Sequence, residues 1–244
     1  LTDAFTYNNF AASKDFADGK AVATSSKEAN RLIAFFGRVN LNYANTYFLS
    51  ASLRREGSTR FGTGNKWGNF PGISAGVDLG QLTDIPHVDQ LKFRASYGVT
   101  GALPDKSYLS QQLYGPGSSA TYFWYDGEYT PVYSPQSNPN PDLKWETKSE
   151  VDLGIDFGLF NSRLTGTFDY YNRKTTDALI TLNVPVPPNL FSTTVLNAGE
   201  LKNEGIELTL EYLVVKNKNF SWTTRGTFAA YKTKVISLSM GDIK

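Results

Sequence analysis

Apolar and polar residues alternate with a period of two along several long segments of this chain. In the first segment, Ile33, Phe35 and Leu41 fall on one face, and Arg38 and Asn40 fall on the other. Such alternation over ten or more residues predicts a strand with one apolar and one polar face. The same template matches about eight segments, namely residues 31–45, 46–57, 67–80, 90–101, 143–159, 162–175, 200–213 and 219–236.

The connections between these segments alternate in length. Short links such as residues 160–162 take turns with long ones, and the longest link spans residues 101–143. Outer-membrane barrels have brief turns on the periplasmic side and extended loops on the extracellular side. The pattern therefore predicts an all-β fold, an antiparallel transmembrane β-barrel whose long loops lie outside the cell.

Aromatic residues concentrate where the segments meet their connections, as two belts at the membrane interfaces would. The belt near the short turns comprises Tyr43, Tyr47, Phe48, Phe157, Phe160, Tyr212 and Phe220, and the belt near the long loops comprises Phe61, Trp67, Phe70, Tyr170 and Tyr171. A soluble β-sandwich shows the same alternation in shorter strands, so strands of ten or more residues favour the barrel.

The amino-acid composition limits the kinds of functional site that the chain can form. The 24 Lys and Arg residues nearly balance 23 Asp and Glu residues, so the chain lacks the positive field that gathers nucleic acid. There is no Cys, and His87 is the one His, which excludes thiolate chemistry and multi-histidine metal sites. No apolar run reaches the length of a membrane-spanning helix. We therefore expect no enzyme activity, no cofactor and no metal.

Two acidic groups invite a metal or acid–base interpretation. They are Asp126 with Glu128, and Asp84 with Asp89 near His87. Neither has recognisable ligand spacing, so a solvated or capping role is expected for both.

Several motifs resemble the SusC/RagA family of TonB-dependent outer-membrane transporters. The first is "SLRREGSTRFG" at residues 52–62, followed by "KWGNFP" at residues 66–71. The later motifs are "LKFRASYGVTG" at 91–101, "NPNPDLKWET" at 138–147, "DFGLFNSRLTGTFDYYNRKTTDAL" at 156–179 and "NAGELKNEGIEL" at 197–208. They stand in the family's order and cover the chain from about Arg31 to Ser237.

The resemblance implies a nutrient importer in the outer membrane of a member of the Bacteroidota. Family barrels have 22 strands and a plug domain, so eight strands would form part of the second half of such a barrel, here without a plug. The implied partners are a SusD-like surface lipoprotein, TonB through parts of the protein absent here, outer-membrane lipid, and an oligosaccharide or peptide ligand.

Two alternatives remain open within the barrel interpretation. One is a SusC-like barrel that acts as a structural subunit of an outer-membrane assembly and imports nothing. The other is a closed eight-stranded barrel that serves as an anchor. In a piece of a larger barrel, the first and last strands do not pair with each other, whereas in a closed barrel they do.

The long loop contains an aromatic segment at residues 121–133 that is a candidate ligand-binding site. Four consecutive aromatic residues, Tyr122, Phe123, Trp124 and Tyr125, could stack on sugar rings or on peptide side chains. The alternative is that they pack the loop against itself or against a partner protein.

Two further features are expected to be structural. In "RREG", Arg54, Arg55 and Glu56 leave the strand for a turn that Gly57 permits, and contact with substrate in the lumen is the less favoured alternative. The "NPNPDLKWE" segment is expected to deliver Trp145 to the membrane interface.

The alternation also predicts which side chains face lipid and which face the lumen. The lipid-facing set is Phe35, Val39, Leu49, Leu53, Val77, Phe93, Leu153, Ile155, Leu208 and Leu210, and the lumen-facing set is Arg38, Arg54, Arg94, Asp152 and Glu207.

Overall fold

The structure, a computed structural model, describes residues 9–12, 23–83, 85–116 and 122–238, and is almost entirely β. Its strands are β1 Asn9–Ala12, β2 Ala23–Ser26, β3 Leu32–Tyr43, β4 Tyr47–Ser58, β5 Trp67–Asp78, β6 Val88–Ala102, β7 Tyr114–Pro116, β8 Tyr122–Tyr125, β9 Glu128–Pro131, β10 Tyr133–Pro135, β11 Glu146–Leu159, β12 Leu164–Asn183, β13 Thr193–Lys216 and β14 Ser221–Leu238. A single turn of 3-10 helix, Leu79–Gln81, follows β5. No helix in the described part of the chain is long and apolar enough to cross a membrane.

The eight long strands form one antiparallel sheet in the order β14-β13-β12-β11-β6-β5-β4-β3. Each strand therefore pairs with the next long strand along the chain, as in an up-and-down barrel. In the described residues, β3 and β14 do not pair with each other, so the sheet is open. This confirms the prediction for a piece of a larger barrel and contradicts the closed eight-stranded alternative.

The register places the two predicted sets of side chains on opposite faces of the sheet. One row across the strands joins Val77, Phe93, Ile155, Phe168 and Leu208. The neighbouring row joins Gly76, Arg94, Gly154, Asp169 and Glu207. We call the first face outer and the second inner, because apolar residues face lipid in such barrels. Every residue of both predicted sets lies on its expected face.

The last strands are longer than the alternation predicted. β12 and β13 extend beyond the predicted residues 162–175 and 200–213, and their ladder continues to the pair Asn183 and Thr193. The sequence hides this extension because the ladder shifts register between Thr175 and Leu179, which interrupts the period-two alternation, although Leu179, Ile180 and Leu196 beyond the shift are apolar. Backbone hydrogen bonds still form there, since they do not require that alternation.

The described hydrophobic core is small and lies at the long-loop end. Phe61, Phe70, Leu143 and Trp145 form one buried cluster. The ladder between β5 and β6 stops at the pair Gly72 and Gly98, and the cluster lies beyond that point. Elsewhere the sheet has one layer, which is the arrangement of a barrel wall.

The predicted aromatic belts need correction. Tyr43, Tyr47, Trp67, Phe157, Tyr170 and Tyr212 lie on the outer face. Phe48 and Tyr171 lie on the inner face. Each directly follows an outer tyrosine, Tyr47 or Tyr170, and consecutive residues of a strand face opposite sides. Phe61 and Phe70 are buried in the core cluster. Aromatic content near a strand end thus predicts the interface only when the residue is also in phase with the outer face.

Candidate functional site

The base of the long loop is fixed to the β12–β13 hairpin by asparagine side chains. Asn138 donates to the carbonyl oxygens of Phe191 at 2.6 Å and Thr193 at 3.0 Å. Its side-chain oxygen, Oδ1, accepts hydrogen bonds from the backbone N–H groups of Leu190 and Phe191, each at 3.0 Å. Asn140 donates to the carbonyl oxygen of Val195 at 2.9 Å. We call Asn138 and Asn140 the asparagine clamp.

Separate motifs of the sequence meet in the core cluster beside this clamp. Trp145 packs on Phe61 with ring centroids 4.7 Å apart, and on Phe70 with centroids 5.2 Å apart. Its indole N–H donates to the carbonyl oxygen of Lys66 at 3.0 Å. A Cβ at Gly62 would overlap the carbonyl oxygen of Pro141, so the chain passes there only without a side chain. Trp145 therefore holds the loop base and does not anchor at the membrane interface as expected.

The predicted aromatic site forms a hairpin that projects from this loop. β8 pairs with β9, and Asp126 and Gly127 make the turn with positive φ of 50° and 80°. Asp-Gly is a preferred pair for such turns because both positions need positive φ. We call residues Tyr122–Pro131 the aromatic hairpin, with β8 and β9 as its strands.

Both faces of the aromatic hairpin carry exposed rings. Trp124 faces Tyr129 across the hairpin with ring centroids 5.0 Å apart, and Phe123 and Tyr125 share the other face at 6.1 Å. The exposed fractions are 48% for Phe123, 62% for Trp124, 68% for Tyr125 and 72% for Tyr129. Packing of the loop against itself thus accounts for the two ring pairs and leaves most of the ring surface uncovered. The backbone of Tyr122 pairs with Pro131, while its side chain and Thr121 lie outside the described part.

The "RREG" residues do not act as one group. Arg54 and Glu56 lie on the inner face and form an ion pair. Arg55 lies on the outer face, where its guanidinium stands over the Trp67 ring at 5.3 Å. Gly57 remains in β4, and a Cβ there would lie 2.8 Å from the Trp67 ring. The expected turn at Gly57 was wrong: the glycine makes room for an aromatic ring within the strand.

The inner face divides into two parts. On β4 to β6, Ser50, Ser74 and Ser96 form one row, and Ser52, Gly72 and Gly98 form the next. These small residues leave a concavity of ≈480 Å³. The residues at its borders are Arg38, Lys148, Glu150 and Arg173.

A charge network occupies the inner face of β6, β11 and β12. Arg94 donates to both carboxylate oxygens of Asp156 at 2.8 and 3.0 Å, and to Asp169 at 2.8 Å. A Cβ at Gly154 would lie 2.6 Å from the Arg94 guanidinium, so this glycine accommodates the network. The alternation predicted an inner position for Arg94, but it could not predict that this one arginine joins three strands.

Among the acidic residues near His87, Asp89 has a structural partner. Asp89 accepts a hydrogen bond from the backbone N–H of Ser162 at 2.7 Å, which is a capping role. His87 packs beside Phe160 with ring centroids 5.9 Å apart. Asp84 lies outside the described residues. Within the described ranges, no group of three or more His, Cys, Asp or Glu residues is arranged to hold a metal ion.

Comparison with known proteins agrees with this architecture. A family model described as "TonB dependent receptor-like, beta-barrel" matches residues 1–240. The TonB-dependent receptor P39 of Formosa agariphila is 34% identical over 215 residues, which are 86% of this chain and 20% of that protein. The TonB-dependent receptor SusC of Bacteroides thetaiotaomicron is 31% identical over 225 residues, which are 90% of this chain and 22% of that protein.

Solved structures show the same arrangement of strands. The RagAB peptide transporter matches with a TM-score of 0.78 at 26% identity, covering 91% of this chain and 24% of the matched chain. The siderophore receptor PirA of Pseudomonas aeruginosa matches with a TM-score of 0.54 at 17% identity, covering 87% of this chain and 36% of that one, which shows the fold alone. The chain spans about a fifth of the length of the curated relatives named above. These relatives are receptors and transporters and not enzymes.

Proposed function

The chain belongs to the TonB-dependent receptor β-barrel family, and from that premise we propose that it forms part of the wall of an outer-membrane nutrient importer. Barrels of this family are outer-membrane proteins, and the apolar outer face agrees with contact to lipid. The proposed cargo is an oligosaccharide or a peptide, and the proposed partner is a SusD-like surface lipoprotein. TonB would act through parts of the protein absent here.

The observation that carries this proposal is the exposed aromatic hairpin at the long-loop end. Flat Trp and Tyr faces bind sugar rings and peptide side chains while losing little conformational entropy. Asp126 and Glu128 lie at its turn and could accept hydrogen bonds from sugar hydroxyls or from peptide N–H groups. The asparagine clamp and the core cluster give this loop a firm base, and specificity is usually held by loops on a rigid scaffold.

The inner face offers a second reason to propose transport. The Ser and Gly side chains of β4 to β6 are small and polar, so they leave room along the wall for cargo or for the domain that fills the lumen. The matched RagAB structures are of a peptide importer, which supports the peptide alternative for cargo. SusC as a relative supports the involvement of a surface lipoprotein.

The proposal is tested by replacing Tyr122, Phe123, Trp124 and Tyr125 with Ala in the full-length protein. We expect uptake of the cognate oligosaccharide or peptide, or co-purification of the lipoprotein, to fall about tenfold or more, since central aromatic residues dominate binding surfaces. The amount of folded barrel in the outer membrane should be unchanged, as measured by the heat-dependent shift of its mobility on gels.

The matched control is Tyr114→Ala with Tyr133→Ala. These tyrosines are exposed in the same loop but lie on β7 and β10, outside the aromatic hairpin. Unchanged uptake and unchanged lipoprotein binding in the quadruple variant would refute the proposed role of the hairpin. Lipoprotein binding without import by the wild-type protein would identify a structural subunit instead.

A further inference from the structure

A group of lysines lies directly above the apolar band on the outer face of β12, β13 and β14. The register joins Lys174, Lys202 and Lys234 in one row across the three strands. Lys232 is two residues from Lys234 on the same face, in the row of Glu204. Neighbouring strands are about 4.8 Å apart and successive residues on one face are about 6.8 Å apart. The four ammonium groups therefore share a compact surface, which we call the lysine rim.

The change from apolar to charged residues occurs at the same height on all three strands. The last row that is apolar on all three strands joins Tyr170, Ile206 and Ala230. The next row joins Asn172, Glu204 and Lys232, and the lysine row follows it. An apolar band that ends together on three strands marks the edge of the hydrocarbon, and Tyr170 is the kind of residue found there. The lysine rim thus lies at the level of lipid headgroups.

The rim carries more positive charge than its neighbours neutralise. Lys174 pairs with Glu200 at 2.8 Å, and Lys202 pairs with Glu204 at 2.7 Å. Lys232 and Lys234 have no ion-pair partner within the described residues. The outer face of β3 to β5 carries a single cation, Arg55, which stands over the Trp67 ring. The row of lysines is therefore a feature of β12 to β14.

The rim lies at the end of the sheet that bears the long loops, which is the extracellular end in such barrels. Lipids of the outer leaflet of this membrane carry phosphorylated glycolipid headgroups. Lysine binds phosphate as a compact point charge, and each lysine near an anionic lipid surface contributes on the order of a five-fold gain in affinity. We propose that the lysine rim is a binding site for the phosphates of an outer-leaflet glycolipid, which would sit against β12 to β14. The inference rests on the membrane placement proposed above and not on import or on the aromatic hairpin.

The test uses the full-length protein purified in detergent and titrated with bisphosphorylated lipid A in mixed micelles. The variant is Lys232→Gln with Lys234→Gln, because neither lysine has an ion-pair partner in the part of the chain that the structure describes, so their loss leaves no new unpaired carboxylate there. We expect about a twenty-five-fold loss of affinity, from roughly five-fold for each lysine. The matched control is Lys216→Gln with Lys218→Gln. It removes the same charge at the short turn between β13 and β14, and it should bind like the wild type.

Four results would overturn the proposal, three from lipid binding and one from competition by phosphate. The first is equal affinity of the rim variant and the wild type for bisphosphorylated lipid A. The second is equal binding of dephosphorylated lipid A by the wild type, and the third is an equal loss in the control variant. Inorganic phosphate at the concentration of the lipid should not compete, and full competition would identify a site for a soluble anion instead. Uptake measurements do not enter this test, so its failure is distinct from failure of the proposed function.

Discussion

Two aromatic groups at the same end of the molecule have opposite environments. Trp145 is only 6% exposed and packs on Phe61 and Phe70, whereas Trp124 is 62% exposed and touches Tyr129. The first group joins segments that are far apart in sequence, and the second belongs to one local hairpin. Burial, and not aromatic content, therefore separates the residues that hold the loop from those available to bind.

The largest expected effect is from Trp145→Ala. Removal of this ring would leave a cavity beside Phe61 and Phe70 and would lose the hydrogen bond to Lys66. The expected cost is about 3–5 kcal/mol of unfolding free energy, measured by urea unfolding of the full-length barrel in lipid vesicles. Trp145→Phe should recover part of this loss, and equal stability of Trp145→Ala and the wild type would contradict the buried role.

A charged substitution on the lipid-facing side of the sheet tests a residue that is covered by lipid, whereas Trp145 is covered by protein. Leu153→Arg should cost on the order of 2–4 kcal/mol because it places a cation in the hydrocarbon. Thr209→Arg on the inner face is the control, and it should be milder because the lumen is polar. The same unfolding assay compares the two, and a larger cost for Thr209→Arg would reverse the assignment of the faces.

Loss of the asparagine clamp should lower the unfolding free energy by an amount between the effects of Trp145→Ala and Trp124→Ala. Asn138→Ala would remove four hydrogen bonds and leave backbone groups of β13 and its preceding turn without partners, at a cost of about 1–3 kcal/mol. Hydrogen exchange should speed up at Leu190 and Phe191 while the core cluster stays protected. Unchanged exchange at these amides would show that the clamp does not hold the loop.

The smallest effect on stability is expected from Trp124→Ala. Because the ring is largely exposed, the change in unfolding free energy should stay within about 0.5 kcal/mol. The same variant should still weaken ligand or lipoprotein binding, which separates it from Trp145→Ala. A stability loss as large as that of Trp145→Ala would mean that the hairpin is packed after all.

The alternation in the sequence was enough to predict the faces and the order of the sheet, and the family resemblance predicted that the sheet is open. Period-two patterning fixes the side of every strand residue, which is why Arg94 and Leu153 lie where they were expected. The Asp126-Gly127 pair between aromatic runs also carries a hairpin signal, which was not used when residues 101–143 were interpreted as one long link.

Other features depend on contacts that a linear pattern does not encode. The burial of Trp145 depends on three segments that are distant in sequence, and an indole ring suits a protein core and a membrane interface equally well. The extension of β12 and β13 lies beyond a shift in register, where the alternation of apolar and polar residues is interrupted. Arg55 was grouped with Arg54 by adjacency, although neighbours in a strand face opposite sides.

The most direct test of the role of the aromatic hairpin is photo-cross-linking from position 124. A benzophenone amino acid replaces Trp124 in the full-length protein in cells that contain the lipoprotein and the ligand, and the same group at Phe168 on the outer wall is the control. We predict an intermolecular product with the lipoprotein or the ligand from position 124, and no such product from position 168. Absence of any intermolecular product from position 124, in a barrel that is folded and illuminated under the same conditions, would contradict the role of the aromatic hairpin in binding.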